Sequence, residues 1–196
     1  MITRRLADPL KLISIVSVLI AYLSGCVHGN KVDAPVWQLM ETRYTIIHYQ
    51  SIADLKKFDH KISYPNGKWG VLNRLTGSSS ENLHARIEKK VDRIYEKAQN
   101  ILGMHKPMDK VHIHICRNKK QLNDHCISIY GRPCRFRAWY AYQLNTVYVN
   151  HSDLDEGILG HELAHSIIDQ YLLVRPPKAT AEILASYVDL HLFDDP

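Results

Sequence analysis

Three side chains with the chemistry of a hydrolytic metal site stand close together in the segment GILGHELAHSIIDQY, residues 157–171. His161 and His165 are four residues apart, so on a helix both imidazoles lie on one face, about 6 Å apart along the axis. Two imidazoles placed in this way can bind one metal ion. Glu162 directly follows the first histidine, where a carboxylate can take a proton from a water molecule that the metal activates. The spacing predicts a metal-dependent hydrolytic site; the alternative is a helix with solvated histidines.

A catalytic zinc ion needs a third protein ligand and one open position. Two consecutive prolines end the helix that carries the histidines, and the next helix is predicted for residues 178–193. If the short connection folds the two helices back antiparallel, Glu182 comes level with His165, which makes Glu182 the predicted third ligand. Asp189, on the same face as Glu182, is the alternative ligand. Asp189 and Asp169 could instead accept a hydrogen bond from a ligand imidazole and orient it.

The elements that must position these side chains are predicted from periodicity, capping residues and turn residues. The second predicted strand alternates cleanly, with His112 and His114 on the face opposite its isoleucines. That face could bind metal, and a half-exposed strand is the plain alternative. Strands are predicted for 43–49, 110–116, 136–142 and 146–150, and helices for 51–62, 81–103, 119–130, from Ser152 to about 172, and 178–193.

These elements predict a single α+β domain over residues 42–196, in which a mixed, mostly antiparallel sheet packs against the histidine helix and the following ligand helix. The formal net charge of +5 is mildly basic. Because the sequence contains no basic stripe interleaved with aromatic residues, it does not predict nucleic-acid binding.

The N-terminus has the layout of an export signal. Residues 1–25 combine a basic start, a short apolar run and small residues, which is typical of a secretory signal peptide. The segment Leu23–Cys26 resembles a bacterial lipobox, which implies cleavage before Cys26 and acylation of its thiol. Two or more acyl chains would anchor the protein stably in a membrane. Residues 26–41 are predicted to be a tether, and Val27, in place of an inner-membrane retention aspartate, favours the outer membrane.

Three further cysteines are Cys116, Cys126 and Cys134. In an oxidising periplasm two of them can pair, and the sequence leaves all three pairings open. Because no CxxC spacing occurs, a cysteine-based zinc site is not predicted.

The motif HELAH, followed after 16 residues by AEILASY, resembles the gluzincin branch of the zincin metallopeptidases in its minimal, peptidase MA-like form. The resemblance implies that His161, His165 and Glu182 bind one zinc ion and that Glu162 is the general base. It also implies an edge strand upstream of the helix, along which an extended peptide would add to the sheet. The expected function is therefore zinc-dependent cleavage of peptide bonds in a protein or peptide substrate, by a lipid-anchored protein facing the periplasm.

The sequence departs from this family in two ways. Members often have glycine directly after the ligand glutamate, where this chain has Ile183. The C-terminal subdomain that supplies a transition-state tyrosine or histidine in the family is not found before Pro196. Tyr187 and His191 are the nearest candidates for that donor, and a partner protein that completes the cleft is the other. The alternative function is a non-catalytic envelope lipoprotein that uses a zincin-like scaffold for partner binding or for a structural zinc ion.

Overall fold

The computed structural model describes residues 36–62 and 82–194. The predicted signal peptide, Cys26 and most of the predicted tether lie outside these residues. Within them, none of the helices has the length and apolar character that a membrane span requires. The elements are β1 (Gln38–Glu41), β2 (Thr45–Tyr49), α1 (Ile52–Lys61), α2 (Leu83–Leu102), β3 (Val111–Cys116), α3 (Lys119–Tyr130), β4 (Ala138–Ala141), β5 (Thr146–Asn150), α4 (Glu156–Tyr171) and α5 (Lys178–His191).

The five strands form one mixed sheet in the order β1-β2-β3-β5-β4. The outer pairs β1–β2 and β4–β5 are antiparallel, whereas β2–β3 and β3–β5 are parallel. The prediction of an α+β fold with a mixed sheet is confirmed. The prediction of a mostly antiparallel sheet is wrong, because the chain passes through helices between β2 and β3 and between β3 and β5, and such crossovers can return it to the same end of the sheet.

The first strand corrects the predicted tether. Gln38–Glu41 pair with β2 along their whole length, from Gln38 opposite Tyr49 to Glu41 opposite Ile46. Met40 is buried in the core. The last four residues of the predicted tether therefore belong to the folded domain.

The two faces of the sheet are covered unequally. The alternate residues Val111, Ile113 and Ile115 of β3 are fully buried in the main core, together with side chains of α1, α2, α4 and α5. Only α3 covers the opposite face among the described helices, and its Leu122 packs there with Trp139 and other side chains of the β4–β5 hairpin. The predicted alternation of β3 is confirmed, because one side of the strand faces the helical layer that carries the histidine motif.

The start of α4 differs from the prediction. Asp155, not Ser152, is its N-cap, and the Asp155 carboxylate accepts a hydrogen bond from the backbone N–H of Ile158 at 2.9 Å. Ser152 instead belongs to the turn after β5, where its backbone N–H donates to the side chain of Asn150 at 3.2 Å. Capping spacing alone does not distinguish these two arrangements, because both place an oxygen-bearing side chain before a helical segment.

A disulfide joins Cys126 of α3 to Cys134 in the loop that follows, with Cα atoms 5.9 Å apart, and Cys116 remains a buried free thiol. The bond closes a short loop of eight residues' separation. We expect replacement of both bonded cysteines by serine to lower the free energy of unfolding by about 2–3 kcal/mol, because the unfolded chain gains conformational freedom. Chemical denaturation with and without a reductant would measure this. Equal midpoints for the oxidised wild type and the double variant would contradict it.

Asp59 links α1 to α2 through two cations. Its carboxylate is 2.7 Å from the Arg86 guanidinium and 2.7 Å from the Lys90 ammonium. Burial raises the pKa of Asp59, but the hydrogen bonds from Arg86 and Lys90 outweigh burial and hold the pKa below its ordinary value.

Since the pKa of Asp59 is lowered by folding, its contribution to stability is complete above about pH 4 and is lost as the pH falls further. We expect Asp59→Asn to destabilise the fold by about 1–3 kcal/mol at pH 7. The variant should also lose less stability than the wild type between pH 5 and pH 3. Thermal unfolding of both proteins across this range would measure the difference, and parallel curves would contradict it.

Candidate metal centre

The helices α4 and α5 form an antiparallel hairpin, as the sequence predicts. Leu172 ends α4, and Pro177 precedes the first turn of α5. The close approach of the helices needs small residues, because a Cβ at Gly160 would lie 3.2 Å from a methyl group of Leu192. A Cβ at Gly157 would overlap the carboxylate of Asp189. The two glycines of α4 therefore set the distance between the helices.

The hairpin brings three potential metal ligands to one point. His161 Nε2 and His165 Nε2 are 3.2 Å apart, and Glu182 Oε2 lies 3.5 Å from the first and 3.6 Å from the second. Ligands about 2.0–2.2 Å from a tetrahedral zinc ion lie about 3.3–3.6 Å from one another. The separations therefore fit a metal ion bound by all three atoms. In the described ranges, no other set of three His, Cys, Asp or Glu side chains has ligand atoms within 4.8 Å of one another.

The three ligand side chains differ in their contact with solvent. The exposed fraction of the side chain is 21% for His161, 16% for His165 and 47% for Glu182, so the group is reached from the α5 side. Burial and the neighbouring His161 lower the pKa of His165 to about 4, although the Glu182 carboxylate opposes this effect. His165 is therefore neutral at neutral pH, which is the form of imidazole that binds a metal ion.

Glu162 lies in the interior beside this group. The residue is only 9% exposed, and the backbone of Tyr140 in β4 donates a hydrogen bond to its carboxylate. The pKa of Glu162 is raised to about 8, chiefly by burial and also by the nearby charge of Glu182, although the Tyr140 hydrogen bond opposes the shift. A carboxyl group with a raised pKa next to a set of metal ligands is typical of a proton-transfer residue.

The other predicted site residues occupy less central positions. Asp189 packs against Gly157, one turn before His161. The ring of Tyr187 packs against that of His191, with centroids 4.2 Å apart, and His191 Nδ1 is 2.5 Å from the Asp194 carboxylate. Within the described part of the chain, none of these contacts reaches the three ligands, so the roles predicted for Asp189, Tyr187 and His191 stay predictions.

Asp169 connects the site to two residues that the sequence reasoning did not single out. Its carboxylate accepts a hydrogen bond from the Tyr140 hydroxyl at 3.2 Å and lies 3.5 Å from Arg175 Nε. Arg175, in the connection between α4 and α5, stacks over the ring of Tyr142 at 3.6 Å. The role of Asp169 as an acceptor for an imidazole stays a prediction. The sequence could have indicated Arg175 as a residue near the site. The α4–α5 connection is short, so any side chain in it must lie near both helices.

Together, the fold and this group define an α+β protein with a candidate His-His-Glu metal centre on an antiparallel helical hairpin. Comparison with known proteins finds no match to this chain among family models, curated proteins or solved structures. The resemblance to the gluzincins therefore rests on the motif residues and their geometry, and membership of that family stays a prediction.

Proposed function

We propose that this protein is a zinc-dependent peptidase of the gluzincin type. One observation carries the proposal: His161, His165 and Glu182 place three ligand atoms at the separations of a tetrahedral metal site, with the buried Glu162 carboxyl beside them. Two imidazoles and one carboxylate form the donor set of many catalytic zinc sites, in which the fourth position is open. The Glu182 side chain is partly exposed, which leaves room for a substrate to approach the group from solvent.

The proposed chemistry assigns proton transfer to Glu162. A zinc ion held by the three ligands would supply Lewis acidity that activates water and polarises a carbonyl, and its charge would favour the ionised form of Glu162. Glu162 then takes the proton of the attacking water and passes it to the leaving amine as the peptide bond breaks. Burial of Glu162 supports this role, because a desolvated carboxylate is a stronger base than a solvated one.

The position of β4 next to Glu162 also supports the proposal of an extended substrate. Among the described strands, β4 lies at an edge of the sheet, and the backbone of its Tyr140 donates a hydrogen bond to Glu162. A peptide that added to the free side of β4 would run past the general base and the ligand group. The proposed substrate is therefore an extended segment of a peptide or protein.

The proposed location is the bacterial cell envelope, facing the periplasm, with a lipid anchor on Cys26 and a preference for the outer membrane. The lipobox-like sequence before Cys26 supports the anchor. The disulfide between Cys126 and Cys134 supports an oxidising compartment.

A digest of a mixed peptide library by the zinc-loaded chain, with cleavage sites identified by mass spectrometry, tests the proposed activity. We expect cleavage at internal peptide bonds, loss of cleavage after zinc is removed with a chelator, and recovery when zinc is added. A chain that binds zinc stoichiometrically but cleaves no member of the library would overturn the peptidase assignment.

An apolar strip on α5 favours a second candidate function, binding of a partner protein by a non-catalytic zincin-like scaffold. Ile183 and Leu190 are 69% and 76% exposed, and Tyr187 lies between them at helical spacing. Contiguous exposed apolar residues are typical of interaction surfaces. Because the strip begins directly after Glu182, a partner bound there would also border the candidate metal centre. In the library digest, this second function predicts zinc binding without cleavage.

A further inference from the structure

Two neighbouring parallel strands send the chain to opposite faces of the sheet. β3 and β5 end side by side, with Cys116 opposite Asn150. After β3 the chain enters α3, whose Leu122 packs on one face, and after β5 it enters α4, whose Leu159 and Leu163 pack on the other. Where the connections of adjacent parallel strands diverge in this way, a crevice opens outside their carboxyl ends, and ligands often bind there. A ligand site is therefore expected at this end of the sheet.

A cavity of about 480 Å³ lies at this end of the sheet, on the α3 side. The segment before β4 forms one of its walls and reaches the carboxyl end of β5, where the backbone N–H of Asn150 donates to the carbonyl of Arg137 at 3.4 Å. The volume falls within the range of small-molecule sites. We call it the α3 cavity, and the charged and aromatic side chains that line it are those of Lys119, Lys120, Arg135, Phe136, Arg137 and Trp139.

The lining of the α3 cavity contains cations and no carboxylate. Lys119, Lys120 and Arg137 each pair with a carboxylate outside the lining, at 3.1, 2.9 and 3.4 Å. The cations of these pairs are largely exposed, and exposed ion pairs contribute little stability, so an incoming anion can compete for them. Within the described part of the chain, Arg135 has no ion-pair partner. The N-terminal turn of α3, which carries both lysines, adds positive partial charge.

Aromatic side chains and a cross-linked loop give the cavity its shape. Phe136 is 58% exposed and Trp139 only 7%, so one ring is open to solvent and the other forms part of the wall. The loop that carries Arg135 is joined to α3 by the disulfide of Cys134 and by a hydrogen bond of 3.0 Å from the Cys134 backbone N–H to the Asn123 side chain. The cavity is therefore preformed, which lowers the entropic cost of binding a ligand.

We propose that the α3 cavity binds a small organic phosphate, that is, a phosphate monoester whose organic part is apolar or aromatic. Guanidinium groups bind phosphate through paired hydrogen bonds, and ammonium groups add point charges. A phosphate monoester carries about two negative charges at neutral pH, so it gains more from a cluster of cations than a carboxylate does. The exposed ring of Phe136 provides a contact for the organic part. None of the three candidate metal ligands lines the cavity, so the proposal is independent of the proposed peptidase activity.

Titration of the full chain with phenyl phosphate, followed by isothermal titration calorimetry, tests this proposal. We expect saturable binding of about one phenyl phosphate per chain. Inorganic phosphate, which lacks the ring, should bind at least about tenfold more weakly. Arg135→Gln should weaken the binding of phenyl phosphate by at least about tenfold, because the substitution removes a charge-assisted hydrogen bond to the phosphate.

Arg132→Gln is the matched control, because it removes the same charge from an exposed position in the same loop that does not line the cavity. Its affinity for phenyl phosphate should equal that of the wild type. Since Arg135 and Arg132 are both exposed, neither substitution removes a buried contact, and circular dichroism would verify that both variants fold.

Three results would overturn the proposal. The first is a wild-type chain that shows no saturable binding of phenyl phosphate at millimolar concentration. The second is equal affinity for phenyl phosphate and inorganic phosphate, which would contradict a site for an organic phosphate. The third is an equal effect of Arg135→Gln and Arg132→Gln, or no effect of Arg135→Gln, which would place the bound phosphate outside the α3 cavity, for example at the candidate metal centre.

Discussion

Substitution of Glu162 by glutamine should lower the rate of peptide hydrolysis by about a hundred- to ten-thousand-fold, which is the usual contribution of a general acid–base residue. Glutamine has nearly the shape of glutamate but cannot accept the proton of the attacking water. Since Glu162 is not among the three converging ligands, the zinc content of the variant should equal that of the wild type. Initial rates on a peptide identified in the library digest, measured beside zinc content, would show both effects.

Glu156→Gln is the matched control for this experiment, because it makes the same change in the first turn of the same helix. Its expected effect is confined to a few tenths of a kcal/mol of helix stability, with activity unchanged. A Glu162→Gln protein that keeps full activity would remove the proposed base. Loss of zinc together with activity would instead mean that Glu162 helps to hold the metal.

Removal of one ligand should abolish stoichiometric zinc binding. We expect the wild type to bind about one zinc ion per chain, and His165→Ala or Glu182→Ala to lower the affinity by at least about a hundredfold, because each leaves only two protein ligands. Binding to the folded state alone stabilises it, so zinc should raise the unfolding temperature of the wild type and have little effect on either variant. Metal analysis and thermal unfolding with and without zinc provide two independent readouts.

Asp189→Ala separates the two candidates for the third ligand. The carboxylate of Glu182 lies 3.5–3.6 Å from both imidazole nitrogens, whereas that of Asp189 packs against Gly157. We therefore expect Asp189→Ala to keep its zinc. If Asp189→Ala loses zinc and Glu182→Ala retains it, the assignment of the third ligand is reversed.

Local sequence patterns predict most of the helices and strands around the site. The apolar spacing of residues 81–103 predicts the long helix α2, whose observed ends are Asn82 as N-cap and the left-handed Gly103 as C-cap. Alternation predicts β3, and the short connection between α4 and α5 predicts that Glu182 returns to His165. These features depend on residues near one another in the sequence, so the local rules of helices, strands and turns describe them well.

Other features depend on which surfaces meet. The strand directions, the inclusion of Gln38–Glu41 in the sheet and the pairing of Cys126 with Cys134 each require contacts between separate elements. The same holds for the contact of Tyr140 with Glu162, which joins β4 to α4. Tertiary packing also places Tyr140 and Arg175 at the carboxylate of Asp169.

The sequence by itself determined the types and spacing of the side chains at the candidate centre, because two histidines four apart on a helix share a face in any fold that keeps the helix. Only the tertiary structure decided between Glu182 and Asp189 as the third member of the group, and only it showed that Glu162 is buried beside the group. The physical reason is that distances between elements follow from side-chain packing across the core, such as the contact of Gly160 with Leu192, and no local spacing encodes them.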